Sequence, residues 1–181
     1  DIGPLLEEAK QQLHAEADYR QEAYWLNQYR YLLANQPEFL LPEVYEDFTT
    51  TSVLAMSFVQ GTPVEALVHS SQADRDRIIT LLMRLLFQEI FTFRLVQTDP
   101  NFANYRYNSQ THQLILLDFG ATRAYDASIA DSYRQLMQAA IEQDRELMRQ
   151  AAERIGYFQE QIRPEQQQAV LDLFQQACEP L

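Results

Sequence analysis

Gln97-Thr98-Asp99-Pro100-Asn101-Phe102-Ala103-Asn104, followed after a turn by Leu114-Ile115-Leu116-Leu117-Asp118-Phe119-Gly120, decides how this chain reads. Asp99 and Asn104 are five positions apart, and Asp118 ends an apolar run. Phosphoryl transfer calls for groups of these types in this order. One carboxylate orients the accepting oxygen or takes its proton, while an amide oxygen and a second carboxylate hold magnesium against the phosphates. Magnesium is a hard cation that binds through one or two carboxylates plus substrate phosphates rather than a full protein cage. Asp99 is therefore the candidate catalytic residue, and Asn104 and Asp118 are the candidate metal ligands.

Neither piece is decisive alone. Asp99-Pro100 reads as an ordinary turn, because Pro restricts the residue before it and Asp suits turn starts. Asp-Phe-Gly by itself is a short motif. The combination is specific: an Asp/Asn pair, a two-strand hairpin pattern over Tyr105–Tyr107 and Leu114–Leu117, and Asp-Phe-Gly where the second strand ends.

Gln97-Thr98-Asp99-Pro100 with Asn104, and Leu116-Leu117-Asp118-Phe119-Gly120-Ala121-Thr122-Arg123, resemble the UbiB/AarF family of atypical kinases, in particular its mitochondrial-type branch. The resemblance runs from about Leu13 to about Phe158. Ala15-Glu16-Ala17-Asp18-Tyr19 resembles that family's Glu-x-Asp element, and Glu22 falls in the same matching stretch. The resemblance implies an α+β, protein-kinase-like fold. Residues 1–60 would be a partial small lobe of one helix and a β-hairpin, and residues 61–181 a mainly helical large lobe. It implies ATP and Mg2+ as cofactors, ATP hydrolysis or phosphoryl transfer in support of ubiquinone (coenzyme Q) biosynthesis, and Glu16 as the partner of a strand lysine. It also implies quinone-biosynthesis proteins and a membrane surface as partners, on the cytoplasmic or mitochondrial-matrix side.

That lysine is not visible. Lys10 is the only lysine, and it precedes the Glu-x-Asp element in the same helical stretch. The four glycines, Gly3, Gly61, Gly120 and Gly156, are dispersed and form no phosphate-cradling loop. The start at Asp1 reads as that of a fragment, with no targeting segment. The expectation is little or no turnover by this chain alone. Two rival readings share the same groups: a small-molecule kinase of the aminoglycoside or choline type, and a nucleotide-binding pseudokinase scaffold.

Composition narrows the field. The chain has 181 residues, 46% of them hydrophobic, enough for a sizeable core. Its formal charge of −12 argues against nucleic acid, whose nonspecific binding runs on Lys and Arg. Cys178 is the single cysteine, so no internal disulfide forms. His14, His69 and His112 lack ligand spacing and read as surface or satisfied residues.

Outward from the motif, apolar spacing predicts one long helix from about Leu5 to Leu33. Two extended segments, about Glu43–Phe48 and Thr51–Val59, read as the hairpin leading into the hinge, with Met56, Phe58 and Val59 beside the adenine. An unpaired edge on that hairpin would favour self-association. Ser71 to about Leu95 reads as a buried helix. Its start is a capping box of Ser71 and Asp74, and its apolar face is Ile78, Leu82, Leu85, Leu86, Ile90 and Phe93, widened by Ile79, Phe87 and Phe91. Arg84, Glu89 and Arg94 interrupt any membrane-spanning run. Gly120 is expected to permit the turn after Asp118, and Arg123 to meet a phosphate or solvent. Helices then follow from near Asp126, from Asp144 with Leu147, Met148, Ala151 and Ile155 on its apolar side, and from Pro164.

Overall fold

A computed structural model describes residues 18–99, 101–158 and 162–178. The chain divides into two units. One takes it as far as Glu89 and resumes over Leu95–Arg123; the other takes Ile90–Arg94 and the chain from Ala124 onward.

The first unit opens with helix α1, Tyr19–Leu32. Ala23, Leu26 and Tyr29 recur every third residue on one face and are buried, Leu26 and Tyr29 completely. Asp18 has an extended backbone, and its side chain accepts the Arg20 N–H at 3.0 Å. Asp18 is therefore not helical, and residues 5–17 of the expected helix lie outside the described residues. Periodicity runs through Asp18, but a short carboxylate that can satisfy an orphan N–H prefers the cap.

Beyond α1, strands β1 (Phe39–Leu40), β2 (Thr62–Pro63), β4 (Tyr105–Asn108) and β5 (Gln113–Leu116) form a sheet in the order β1-β5-β4-β2. β4 and β5 are the expected hairpin, with Tyr105 opposite Leu116 and Tyr107 opposite Leu114. β1 runs parallel to β5, pairing Phe39 with Leu114. In β4, Tyr105 and Tyr107 are buried while Arg106 and Asn108 are only half-buried. Leu114, Ile115 and Leu116 are all buried, so β5 is covered on both faces. Strand β3 (Leu95–Gln97) pairs with β6 (Thr122–Ala124) in a separate two-stranded sheet.

Residues 43–59 are less regular than expected. They pair antiparallel through a single bridge, Val44 to Met56, and Glu46–Phe48 coil into a 3-10 turn. The Thr49 hydroxyl donates to the Tyr45 carbonyl and accepts the Ala55 N–H, replacing ladder bonds with local ones. The edge on which self-association was to rest is thus much shorter than a regular hairpin would present.

Helix α2 covers Gln72–Gln88, with Ser71 as cap: its Oγ accepts the Asp74 N–H at 3.1 Å and donates to the Asp74 carboxylate at 2.8 Å. The α-helix stops short of Leu95. Glu89–Phe93 widen into a π turn, and Arg94 takes a left-handed φ of 54°. Ile78, Leu81 and Leu85 are buried, whereas Ile79 and Leu86 face solvent. Ile78 and Leu85 are buried as expected, and Leu81 is buried while the expected Leu82 is half-buried, so the apolar stripe is narrower than expected.

The second unit is helical: α3 (Ala127–Ile141), α4 (Arg145–Ile155) and α5 (Pro164–Cys178). Leu136, Met148, Ala152 and Leu171 anchor its core. Leu147, expected inside, is exposed. Asp144 caps α4 by accepting the N–H groups of Glu146 and Leu147, and Gly156 ends it in the left-handed conformation that glycine adopts without strain.

Candidate active site

The catalytic-type strand and the Asp-Phe-Gly turn are tied together by backbone. Gln97, buried at the end of β3, leads into Thr98, whose N–H and hydroxyl both donate to the Ala121 carbonyl, at 3.1 and 2.7 Å. Asp99 follows. Asn101 then accepts the Ala103 N–H and starts the short 3-10 turn Phe102–Asn104. The Asn104 carbonyl accepts the Leu117 N–H at 3.2 Å, extending the β4–β5 hairpin by one pair. Asn104 therefore sits beside Leu117 and Asp118, as the spacing in the sequence requires.

Asp118 accepts the Gly120 N–H at 3.0 Å, a small Asx-type turn, and the Thr122 N–H returns to the Phe119 carbonyl. Gly120 does not use a positive φ, contrary to the expectation that it supplies special backbone freedom. A Cβ there would lie 3.5 Å from the Asp118 carboxylate and 3.8 Å from that of Glu22. Both are ordinary van der Waals separations, so a Cβ fits there and two carboxylates flank the position.

Tyr19, Glu22, Thr98, Asp99, Asp118, Gly120 and Ala121 line one cleft of about 450 Å³. Glu22 reaches it from α1, where its Oε1 lies 3.4 Å from the Phe119 nitrogen. Burial raises the Glu22 pKa, and the Asp118 charge raises it further, while the Phe119 N–H works the other way. Burial likewise pushes the Tyr105 phenol up, helped by Glu89, Asp99 and Asp118.

The expected site residues are thus only partly brought together. Asp99 and Asp118 share the cleft, and Asn104 adjoins Asp118 through the hairpin. Glu16 lies outside the described residues. The carboxylate that approaches the Asp-Phe-Gly turn from α1 is Glu22, which the sequence placed in the matching stretch without giving it a role. The approach of α1 to Phe119 is what brings the Glu22 carboxylate to the turn. Met56, Phe58 and Val59 are not among the cleft's described lining; Phe58 is 89% exposed. Arg123 is exposed in β6.

The donor set suits magnesium. Among the described residues no group of three or more His, Cys, Asp or Glu is arranged to cage a metal ion. Magnesium binds through one or two carboxylates plus phosphate oxygens, and Asp118 and the Asn104 amide are donors of that hard-oxygen type. The Asn104 Nδ2 is buried without a protein partner, so its neighbours do not fully satisfy this amide.

Comparison with known proteins accords with the geometry. Residues 1–152 match the model of the ABC1 atypical kinase-like domain. The chain is 39% identical over 153 residues to the rat (Rattus norvegicus) protein "Atypical kinase COQ8B, mitochondrial", covering 84% of this chain and 29% of that one. It is 37% identical over 150 residues to the Saccharomyces cerevisiae protein "Atypical kinase COQ8, mitochondrial", covering 83% and 30%. The chain thus spans under a third of the length of these relatives. A solved Mycobacterium tuberculosis structure, "The complex structure of Rv3197-erythromycin", superposes with a TM-score of 0.76 at 21% identity, over 99% of this chain and 45% of that one. That likeness concerns the fold alone. With a mixed α/β kinase-like fold, an Asp99–Asp118 cleft and a match over residues 1–152, the chain belongs to the ABC1 family of atypical kinase-like domains.

Proposed function

We propose that this chain carries the catalytic-loop half of a magnesium- and ATP-dependent phosphoryl-transfer or ATPase site, in a protein that supports ubiquinone biosynthesis. The observation that carries the reading is the shared cleft of Asp99 and Asp118, with Asn104 held beside Asp118 by the hairpin. Residues 1–60 are inferred to belong to the small lobe and residues 61–181 to the large lobe. The relatives' names support an atypical kinase in a mitochondrial setting, and the ubiquinone link rests on the family resemblance. Among the described residues no helix is long and apolar enough to cross a membrane.

In this mechanism Asp99 accepts a hydrogen bond from the attacking hydroxyl or water and orients it. Asn104 and Asp118 would hold magnesium. When bound, the ion supplies positive charge to the phosphate oxygens. Burial and the Asp118 charge both disfavour the ionised form of Glu22, and a cationic partner would offset them. A lysine in that role would be positioned by Glu22 to meet the phosphates, as Glu16 was expected to do. Because Lys10 is the only lysine of the 181 residues, turnover by this chain alone is expected to be weak.

The test is ATP binding and turnover by the complete protein and by its Asp99→Asn and Asp118→Asn variants. Asp99→Asn should retain nucleotide while losing turnover by a factor of about 100 or more, the scale of a removed general base. Asp118→Asn should weaken the magnesium-dependent part of binding. Binding without turnover in the unaltered protein supports a scaffold instead, and wild-type turnover in Asp99→Asn contradicts the assignment.

A further inference from the structure

Glu89 is a buried carboxyl group that the cleft does not use. It is 4% exposed and begins the π turn that replaces the end of α2. Its Oε1 accepts the Tyr29 hydroxyl at 2.6 Å, across 60 residues of sequence. Among the described residues it forms no ion pair. A carboxyl group in such a place is costly unless its hydrogen bonds are well made.

What it holds is central to the site. Tyr29 lies seven residues after Glu22, two turns along the same face of α1. The Tyr29 ring packs against Phe119 with centroids 4.8 Å apart. The Tyr29 oxygen also lies 3.1 Å from the Leu95 carbonyl, at the start of β3. Two residues on, the buried Gln97 side chain accepts the Tyr105 hydroxyl at 2.8 Å, and Tyr105 directly follows Asn104. Glu89, Tyr29, Gln97 and Tyr105 thus link helix α1, strand β3 and the hairpin behind the cleft.

We propose that Glu89 is a positioning residue: through the Tyr29 hydroxyl and the strand that begins at Leu95, it fixes Asp99 relative to the helix that carries Glu22. This inference rests on the phosphoryl-transfer reading of the cleft. Burial raises the Glu89 pKa to about 7, so a neutral acceptor is an adequate substitute.

The experiment measures magnesium-ATP turnover by the complete protein, with Asp99→Asn as reference. Glu89→Gln keeps an oxygen for the Tyr29 hydroxyl and should stay within about threefold of the parent. Glu89→Leu and Tyr29→Phe should each lower kcat at least about tenfold while the KM for ATP changes less than about threefold, as expected for misplaced reacting groups. The double variant Tyr29→Phe/Glu89→Leu should be no worse than the more damaging single one, because the pair acts as a unit. Tyr29→Phe keeps the ring on Phe119, so it carries the test if Glu89→Leu does not fold. Near-parental kcat in Tyr29→Phe and Glu89→Leu, alongside an inactive Asp99→Asn, overturns the positioning role and leaves the functional reading standing. So do equal losses in Glu89→Gln and Glu89→Leu, or fully additive losses in the double variant. Parental turnover in Asp99→Asn overturns the functional reading and this inference with it.

Discussion

The Glu22 carboxylate lies 3.4 Å from the backbone nitrogen of Phe119, although 97 residues separate them. Two carboxylates, Glu22 and Asp118, therefore face one another across the Asp-Phe-Gly turn, and the cleft's described lining adds Asp99 to them without a Lys or Arg.

That crowding predicts a response to Glu22→Gln. The folded state raises the Glu22 pKa, chiefly by burial and then by the Asp118 charge. A carboxyl group with a raised folded value favours the fold while protonated, and that contribution is lost as pH rises through the raised value. Glu22→Gln keeps an oxygen for the Phe119 N–H and removes the repulsion. Its thermal midpoint at pH 7 without ligand should exceed the parent's, and the gap should close below the ordinary carboxylate range. A lower midpoint at pH 7 would show that Glu22 is already paired with a cation.

Glu89 gives a larger effect of the same sign. Burial moves it from 4.5 to about 7, against the opposing pull of the Tyr29 hydroxyl and the Gln97 N–H. Its contribution is complete below pH 4.5 and is lost as pH rises through about 7. Glu89→Gln should therefore be more stable than the parent at pH 8, by at most about 3 kcal/mol, and equal to it near pH 4.5. Urea unfolding across that range measures the difference, and parallel pH curves would refute the shift.

Gly61 sits where a side chain has no room. A Cβ there would lie 2.5 Å from Ile115 Cδ1, 3.2 Å from Arg106 Cβ and 3.3 Å from the Tyr107 carbonyl. Ile115 is fully buried, so its methyl has little space to move into. Gly61→Ala should cost about 1–3 kcal/mol, the range for overpacking. Adding Ile115→Val, which removes Cδ1, should recover part of the loss; no recovery would place the strain elsewhere.

Asp144 is an isolated test of local structure in the second unit. It accepts the Glu146 and Leu147 N–H groups at 3.1 and 3.0 Å. Asp144→Ala should cost about 1 kcal/mol. For a chain of this size that is a fall of about 2–4 °C in the thermal midpoint. An unchanged midpoint would mean that the cap is satisfied by solvent.

Locally encoded features were legible in the residues. The Tyr105–Leu116 hairpin, the Ser71 and Asp144 caps, the Gly156 stop and the Pro164 start each depend on a few neighbouring side chains. What failed depended on distant partners. Asp18 fits both a helix period and a cap, and the cap prevailed. β1 is only Phe39 and Leu40, and it exists because β5 lies alongside it. The π turn at Glu89 places a carboxyl group against Tyr29, 60 positions away, which no local pattern signals. The spacing of the motif anticipated that Asp99 and Asp118 share a cleft and that Asn104 adjoins Asp118 through the hairpin. Glu22 required the fold, because its contact lies 97 positions away, at Phe119.

The most direct test is thermal unfolding of this chain and of Asp118→Asn with ATP, with and without magnesium. Nucleotide at about a hundred times its dissociation constant should stabilise the parent by roughly 2.7 kcal/mol. The account predicts a midpoint shift that requires magnesium and is lost in Asp118→Asn. An equal magnesium-dependent shift in both proteins, or none in either while both are folded, would contradict it.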